Sequence, residues 1–297
     1  MRAGIDIGGT KIEVVVLDDE GKLCFVERIA TPTDSYIAFI DALSELVMRA
    51  DNQVGPLSSI GIGCPGAISP DTNTIKNANC QVLNGHNLAA DMAERFALPV
   101  KIANDADCLA LSEFKDGAAK EAESSCFAAI LGTGCGGGIV INGQLVTGVN
   151  RIAGEWGHNP LPDWDRVEDG PAHDCYCGRY RCQESFISGT GFARNFYEIY
   201  GRRISAKEII DLAKAGDDQA MAHMSRLYDQ LARAFASVIN LIDPEIIVLG
   251  GGLSNLESIY DEVPKIWGEY IFSDHVHTKL VKAQHGDSSG VRGAAWL

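Results

Sequence analysis

The chain has 297 residues, 46% of them hydrophobic, enough for one large or two ordinary domains with a real core. Its formal net charge of −15 leaves no basic patch for nucleic acid or for an anionic membrane surface. No run approaches the roughly 18 apolar residues of a membrane span, and the first residues lack a signal-peptide pattern, so a soluble, cytoplasmic protein is expected.

Ile5-Asp6-Ile7 reads as a short strand and Gly8-Gly9-Thr10 as a turn. Ile12 to Leu17 is a second strand, closed by Asp18-Asp19-Glu20-Gly21. Tyr36 to Ala50 sets Ile37, Ile40, Leu43, Leu46 and Val47 at helical spacing. Ser59 to Gly63 is a strand ending in the turn Pro65-Gly66, Leu88 to Phe96 a helix, and Val100 to Ala103 a strand. Asn104-Asp105-Ala106-Asp107 sits at the carboxyl end of that strand and opens a helix from Cys108 to Phe114. Lys115 to Glu123 is polar and small, a candidate domain boundary. Ala129-Ile130-Leu131 leads into a glycine run over 132–138 and then Ile139-Val140-Ile141. Asn142-Gly143 follows as a hairpin turn, since both residues tolerate positive φ. Leu227 to Ile242 is an apolar-faced helix stopped by Pro244. Ile246 to Leu249 is a strand before Gly250-Gly251-Gly252, a helix begins near Ser254, and Ala294-Ala295-Trp296 belong to a last short helix. The alternation favours an α/β fold.

The strand–glycine–strand plan occurs twice, a divergent internal repeat. Glycines at such bends let backbone N–H groups approach phosphate oxygens with no Cβ in the way. Asp6, Gly8, Gly9, Thr10 and Lys11 form one candidate nucleotide loop. Gly132, Thr133, Gly134, Cys135 and Gly136 form the other. The threonines add hydroxyl donors and Lys11 a cation. No Gly-x-x-x-x-Gly-Lys-Ser/Thr is present, so this is not a P-loop protein. Gly132, Gly134 and Gly137 match a dinucleotide fingerprint, but that motif requires a helix next, and a strand follows here. Gly250, Gly251 and Gly252 lie where open α/β sheets bind ligands, although taken alone they read better as a plain turn into a helix.

Of nine cysteines, Cys24, Cys64, Cys80, Cys108, Cys126 and Cys135 show no framework spacing and read as reduced, largely buried thiols. Cys175, Cys177 and Cys182 cluster within eight positions. Zinc needs four ligands, and three Cys with one His is a common structural set. His158 is the best fourth ligand. His173 competes, but two residues before Cys175 its chelation would be short and strained. The bland alternative is three reduced thiols in a loop. Glu155 and Glu184 bracket the cluster.

Asp6-Ile-Gly-Gly-Thr-Lys11, Asn104-Asp105-Ala106, Gly132-Thr-Gly-Cys-Gly-Gly-Gly138, Gly154-Glu-Trp-Gly-His158 and the segment from Cys175 to Glu184 resemble the ROK family of sugar kinases, in unbroken order from Met1 to Leu297. The resemblance implies an actin-like, ribonuclease-H-like α/β fold in two lobes with a structural zinc loop, and ATP and sugar in the cleft between them. It implies lobes at 1–116, joined by the returning last helix at 287–297, and at 117–286. Asp105 is then the base for the sugar hydroxyl, although from the residues alone it reads better as a helix cap. Gly66, Asn79, Asn104, Glu155, His158 and Glu184 are implied sugar contacts, with His158 also holding zinc. Asp6 is expected near Mg²⁺ through water, and the 250–252 glycines on the adenosine side.

Within the family, Lys76 to Asn79, Leu83-Asn84-Gly85, Gly154 to Pro162 and His285 to Trp296 look most like bacterial fructokinases. The expected reaction is ATP-dependent phosphorylation of fructose at its 6-hydroxyl, with mannose second and a possible homodimer as the working form. N-acetylglucosamine and N-acetylmannosamine kinases are the rivals. ROK-type regulators add an N-terminal helix-turn-helix, and the first phosphate strand here is reached by residue 4, so an enzyme is expected. The zinc and sugar motifs disfavour an actin-like filament protein. One departure stands out: Arg181 occupies a position where the family usually has Gly, so a reshaped loop with intact zinc ligands is expected.

Overall fold

β-Branched runs punctuated by glycine turns build the chain in this order: β1 (Arg2–Ile7), β2 (Lys11–Leu17), β3 (Leu23–Ala30), α1 (Tyr36–Val54), β4 (Ser59–Gly63), a small hairpin of β5 (Ala67–Ile68) and β6 (Ile75–Lys76), α2 (Leu88–Phe96), β7 (Val100–Ala103) and α3 (Asp105–Asp116). It continues through β8 (Ser125–Leu131), β9 (Cys135–Ile141), β10 (Gln144–Leu145), α4 (Arg166–Asp169), α5 (Glu184–Ile187), α6 (Gly189–Tyr200), α7 (Ala206–Lys214), α8 (Asp218–Ile242), β11 (Ile246–Gly250), α9 (Ile259–Ile266), β12 (Lys279–Lys282) and α10 (Ser289–Trp296). The computed structural model describes residues 1–78 and 80–297, the side chain of Asp287 excepted.

The internal repeat is visible in the sheets. One runs β3-β2-β1-β4-β7, the other β10-β9-β8-β11-β12. In the first, β1 and β2 form an antiparallel hairpin, and β4 then β7 add parallel to β1. In the second, β11 adds parallel to β8 and β12 parallel to β11. Each glycine turn therefore joins two neighbouring strands at one end of its sheet. The fold is the α/β, actin-like one expected.

The chain divides into two compact units. The first holds Met1–Lys120, Gly138–Ala153 and Gln284–Leu297, and the second Glu121–Gly137 and Gly154–Ala283. The segment 138–153, expected with the second lobe, groups with the first. In the first unit, α1 turns Phe39, Ile40, Leu43, Leu46 and Val47 into a core shared with Ile5, Ile12, Val14, Ile60 and Ile62. Ser35 caps α1 by accepting the Ala38 N–H at 3.2 Å.

α10 returns onto this sheet at backbone contact. A Cβ at Gly61 would lie 1.7 Å from Ala294 O, and one at Gly4 would lie 2.2 Å from Val291 O. The glycines are there for close approach. Glu113, fully buried in α3, fixes the return. Its carboxylate accepts from Ala118 N (2.7 Å), Gln284 N (2.9 Å), His285 N (3.1 Å) and Ser289 Oγ (2.9 Å). One turn on, Asp116 accepts from His285 Nε2 at 2.8 Å, from Trp296 Nε1 at 3.2 Å and from Arg292. Such a buried carboxylate is tolerated because its lone pairs are all used. Among the described residues, no helix is long and apolar enough to cross a membrane.

Candidate active site

The first unit brings the β1–β2 turn and the start of α3 into one electrostatic environment. Gly8 N donates to Lys11 O at 2.9 Å, closing the turn. Thr31 anchors it from β3's end, its Oγ1 donating to Gly8 O at 2.8 Å and its N–H to Thr10 O at 3.1 Å. Gly9, Thr10 and Lys11 are exposed. Asp6, on β1, has its carboxyl pushed above the ordinary range, first by burial and then by the charges of Asp105 and Glu13, with Lys11 opposing. The neighbouring carboxylates make a place where a hard cation is favoured. Cys64, beneath them, is pushed up to about 12, first by burial and then by Asp105 and Asp6, so it stays a neutral thiol.

α3 is capped by Asn104, whose Oδ1 accepts the Asp107 N–H at 2.7 Å. Asp105 is therefore not the cap. It stands exposed in the first turn, with Oδ1 taking the adjacent Ala106 N–H at 2.9 Å. The cap also explains why α3 starts at Asp105 rather than at Cys108. Gly66 sits at φ +91°, and a Cβ there would lie 2.5 Å from Lys76 O, so only glycine fits this turn. Asn79 lies outside the described residues.

In the second unit, the turn proper is Gly132-Thr133-Gly134. Cys135 and Gly136, expected in the loop, are the first residues of β9, and the Cys135 side chain is buried. The segment 154–158 clamps onto this strand. Trp156 is buried against Phe127 and Phe235, with ring centroids 5.3 Å away in each case. Its Nε1 donates to Gly136 O at 2.8 Å. A Cβ at Gly157 would lie 2.2 Å from Cys135 O, so glycine is required for the contact. Glu155 is left exposed on one side of the clamp and His158 half-buried on the other.

His158 joins Cys175, Cys177 and Cys182, with the four donor atoms all within 4.8 Å of one another. The Cys177 and Cys182 sulfurs are 3.6 Å apart, and Cys175 Sγ is 3.6 Å from His158 Nδ1. Tetrahedral zinc with bonds near 2.3 Å separates thiolates by about 3.8 Å, so the donor set fits that ion. His158 Nε2 points elsewhere, 3.1 Å from Tyr176 Oη and 3.9 Å from Glu155 Oε2. His173 is not in the cage; its Nε2 meets Glu198 at 2.9 Å and Asn195 at 3.1 Å.

Arg181 keeps the left-handed conformation that a glycine would favour, at φ +65°. The hairpin holds it there: Arg181 N donates to His173 O at 3.1 Å, and Leu161 N to Arg181 O at 2.9 Å. Its guanidinium lies over Trp164, 5.3 Å from the ring centroid. Arg181 thus adopts the backbone conformation that suits glycine, and the four candidate ligands still converge. A left-handed β-carbon costs about 1 kcal/mol, so Arg181→Gly is expected to melt above Arg181→Ala by that margin. Equal melting temperatures would mean that the turn relaxes freely.

The third glycine run starts as the end of β11. Gly251 is at φ +80°, where a Cβ would lie 2.6 Å from the Leu131 carbonyl carbon. Gly252 opens a short 3₁₀ turn, Gly252–Asn255, before α9. Beside it lies a cavity of about 940 Å³ with mainly apolar walls. Thr133 stands at its edge, Gly252 and Leu253 form one wall, and Ala193 of α6 and Ile210 of α7 another. The α6 and α7 contributions carry no motif; only their apolar spacing marks them.

Comparison with known proteins extends these findings. The ROK family model matches residues 2–297. An N-acetyl-D-glucosamine kinase of Vibrio cholerae is 41% identical over 300 residues, covering 100% of this chain and 99% of the relative. One of Escherichia coli O6:H1 is 40% identical over 301 residues, with the same coverage. The crystal structure of a ROK hexokinase from Thermus thermophilus superimposes with a TM-score of 0.86 at 29% identity, covering 99% of this chain and 96% of that one. These relatives overturn the fructokinase expectation. Some of the motif residues behind it serve the scaffold: Asn84 Oδ1 takes the Ala78 N–H at 2.9 Å, and Leu161 is buried. Residues that hold loops in place do not report which sugar is bound. With its repeated sheets, paired glycine turns and His–Cys cluster, and matched from residue 2 to residue 297, the chain belongs to the ROK family.

Proposed function

We propose that this protein transfers the γ-phosphoryl group of ATP to the 6-hydroxyl of N-acetyl-D-glucosamine. The observation that carries the reading is 41% identity over the full chain to a relative named for that reaction. The geometry of the two units supports it residue by residue.

In the first unit, Asp105 is the general base. Its carboxylate is exposed at the first turn of α3, and Asn104 has taken over the capping that would otherwise occupy it. With Oδ1 of Asn104 on the helix, its amide NH₂ remains to donate to a sugar hydroxyl. Gly8 to Lys11 present backbone donors and a cation for phosphate, and Asp6 would help hold Mg²⁺ there. Magnesium supplies charge neutralisation on the phosphates, and Asp6 beside Asp105 favours its approach.

In the second unit, the apolar cavity beside Gly252 takes the adenosine, with Thr133 at its edge on the phosphate side. Glu155 and His158 Nε2 face sugar hydroxyls. His158, through Nδ1, with Cys175, Cys177 and Cys182 would hold zinc, which would tie down the loop that carries His158. Phosphoryl transfer needs positioning and charge neutralisation more than covalent chemistry, so this division of labour suffices. Incubation with Mg²⁺, ATP and N-acetylglucosamine, followed by NMR of the product, is expected to show phosphate on the 6-oxygen. ATP turnover with no phosphorylated sugar would refute the reading.

A further inference from the structure

Glu184 opens α5, two residues after Cys182. Its Oε2 accepts the Cys135 N–H at 2.9 Å, at the exit of the Gly132–Gly134 turn. The carboxylate also packs against the turn itself, since a Cβ at Gly134 would lie 2.7 Å from the same oxygen. The other end of the turn is held by the same stretch of chain, with Gly189 N donating to Gly132 O at 2.8 Å. Within the turn, Gly132 N donates to Gly134 O at 3.1 Å. The segment 184–189 therefore grips both ends. The segment is itself anchored to the His–Cys loop, through Gln183 N to Asn159 O at 2.8 Å, Ser185 N to Cys182 O at 2.9 Å and the bridge of Pro160 with Cys182.

A carboxylate beside a turn that meets phosphate is electrostatically unfavourable unless it does something the neutral chain does not. A charge-assisted bond to a backbone N–H fixes the peptide's orientation more firmly than a neutral one. From this geometry we infer that Glu184 is a positioning residue for the nucleotide: it sets the second glycine turn in its phosphate-binding shape and links that shape to the His–Cys loop. This rests on the kinase reading above, and it gives Glu184 a role on the ATP side besides any sugar contact through its other oxygen.

The test is nucleotide binding by the full chain without sugar, by calorimetry with ADP and Mg²⁺, alongside KM for both substrates. Glu184→Ala is expected to weaken nucleotide binding about tenfold, the loss of one charge-assisted hydrogen bond. The KM for ATP should rise in step, and the melting temperature should fall modestly, because the bond is already made in the unliganded chain. Glu184→Gln keeps an acceptor for the Cys135 N–H but loses the charge, and is expected to fall between the parent and Glu184→Ala in affinity. Unchanged nucleotide affinity in Glu184→Ala, with only the sugar KM raised, would overturn the inference. So would a Glu184→Gln variant as weak as Glu184→Ala. A parent protein that binds no nucleotide would instead refute the kinase reading itself.

Discussion

Asp105→Asn is expected to lower kcat by roughly 10²- to 10⁴-fold, the usual cost of removing a general base. The melting temperature should barely move. Asp105 is exposed, and its one hydrogen bond among the described residues is to the adjacent Ala106 N–H, which an Asn side-chain oxygen also accepts. Losing a negative charge in the first helical turn costs no more than about 1 kcal/mol. Asn104→Ala is the contrasting variant: it removes the actual cap and is expected to destabilise the protein by about 1 kcal/mol. A near-normal kcat in Asp105→Asn, with a clear drop in melting temperature, would return Asp105 to a structural role.

The second large effect concerns metal. Elemental analysis is expected to find about one zinc per chain, because the donor atoms of His158, Cys175, Cys177 and Cys182 already converge. In isolated zinc-finger peptides the bound ion contributes on the order of 10 kcal/mol. Here much of the surrounding loop is held by other contacts, such as Leu161 and Trp156 in the core, so the loss should be smaller. Chelation or Cys177→Ser should still lower the melting temperature and loosen the position of His158. Active, fully stable protein without zinc would remove the metal from the account.

The sequence made the chemistry-bearing turns legible because glycine patterns and cysteine spacing are local. Both glycine turns and the choice of His158 over His173 could be read before the structure, while the return of the last helix followed only from the family resemblance. What escaped was set by tertiary contact. Glu113 is fully buried beneath the return of α10, whereas Glu in a sequence reads as a surface residue. β3 buries one residue, Phe25, so its alternation is faint. α6 begins Gly-Thr-Gly, a poor helix start rescued by Ser188, whose side chain accepts the Gly191 N–H. Cys135 and Gly136 looked like loop because glycine runs do, yet the sheet draws them into β9. Sugar identity escaped for a different reason. Asn84 and Leu161, read as signs of a fructose site, spend their polar and apolar groups on neighbouring backbone and core.

Specificity constants by coupled ADP release, over N-acetylglucosamine, N-acetylmannosamine, glucose, mannose and fructose at saturating ATP, rank the acceptors on one scale. Sites that read hydroxyl and amide groups discriminate sharply, since a missing partner leaves buried polar groups unpaired. The account predicts the highest kcat/KM for N-acetylglucosamine, by tenfold or more over fructose, roughly the worth of one such polar contact. A higher kcat/KM for any sugar lacking the N-acetyl group would contradict it.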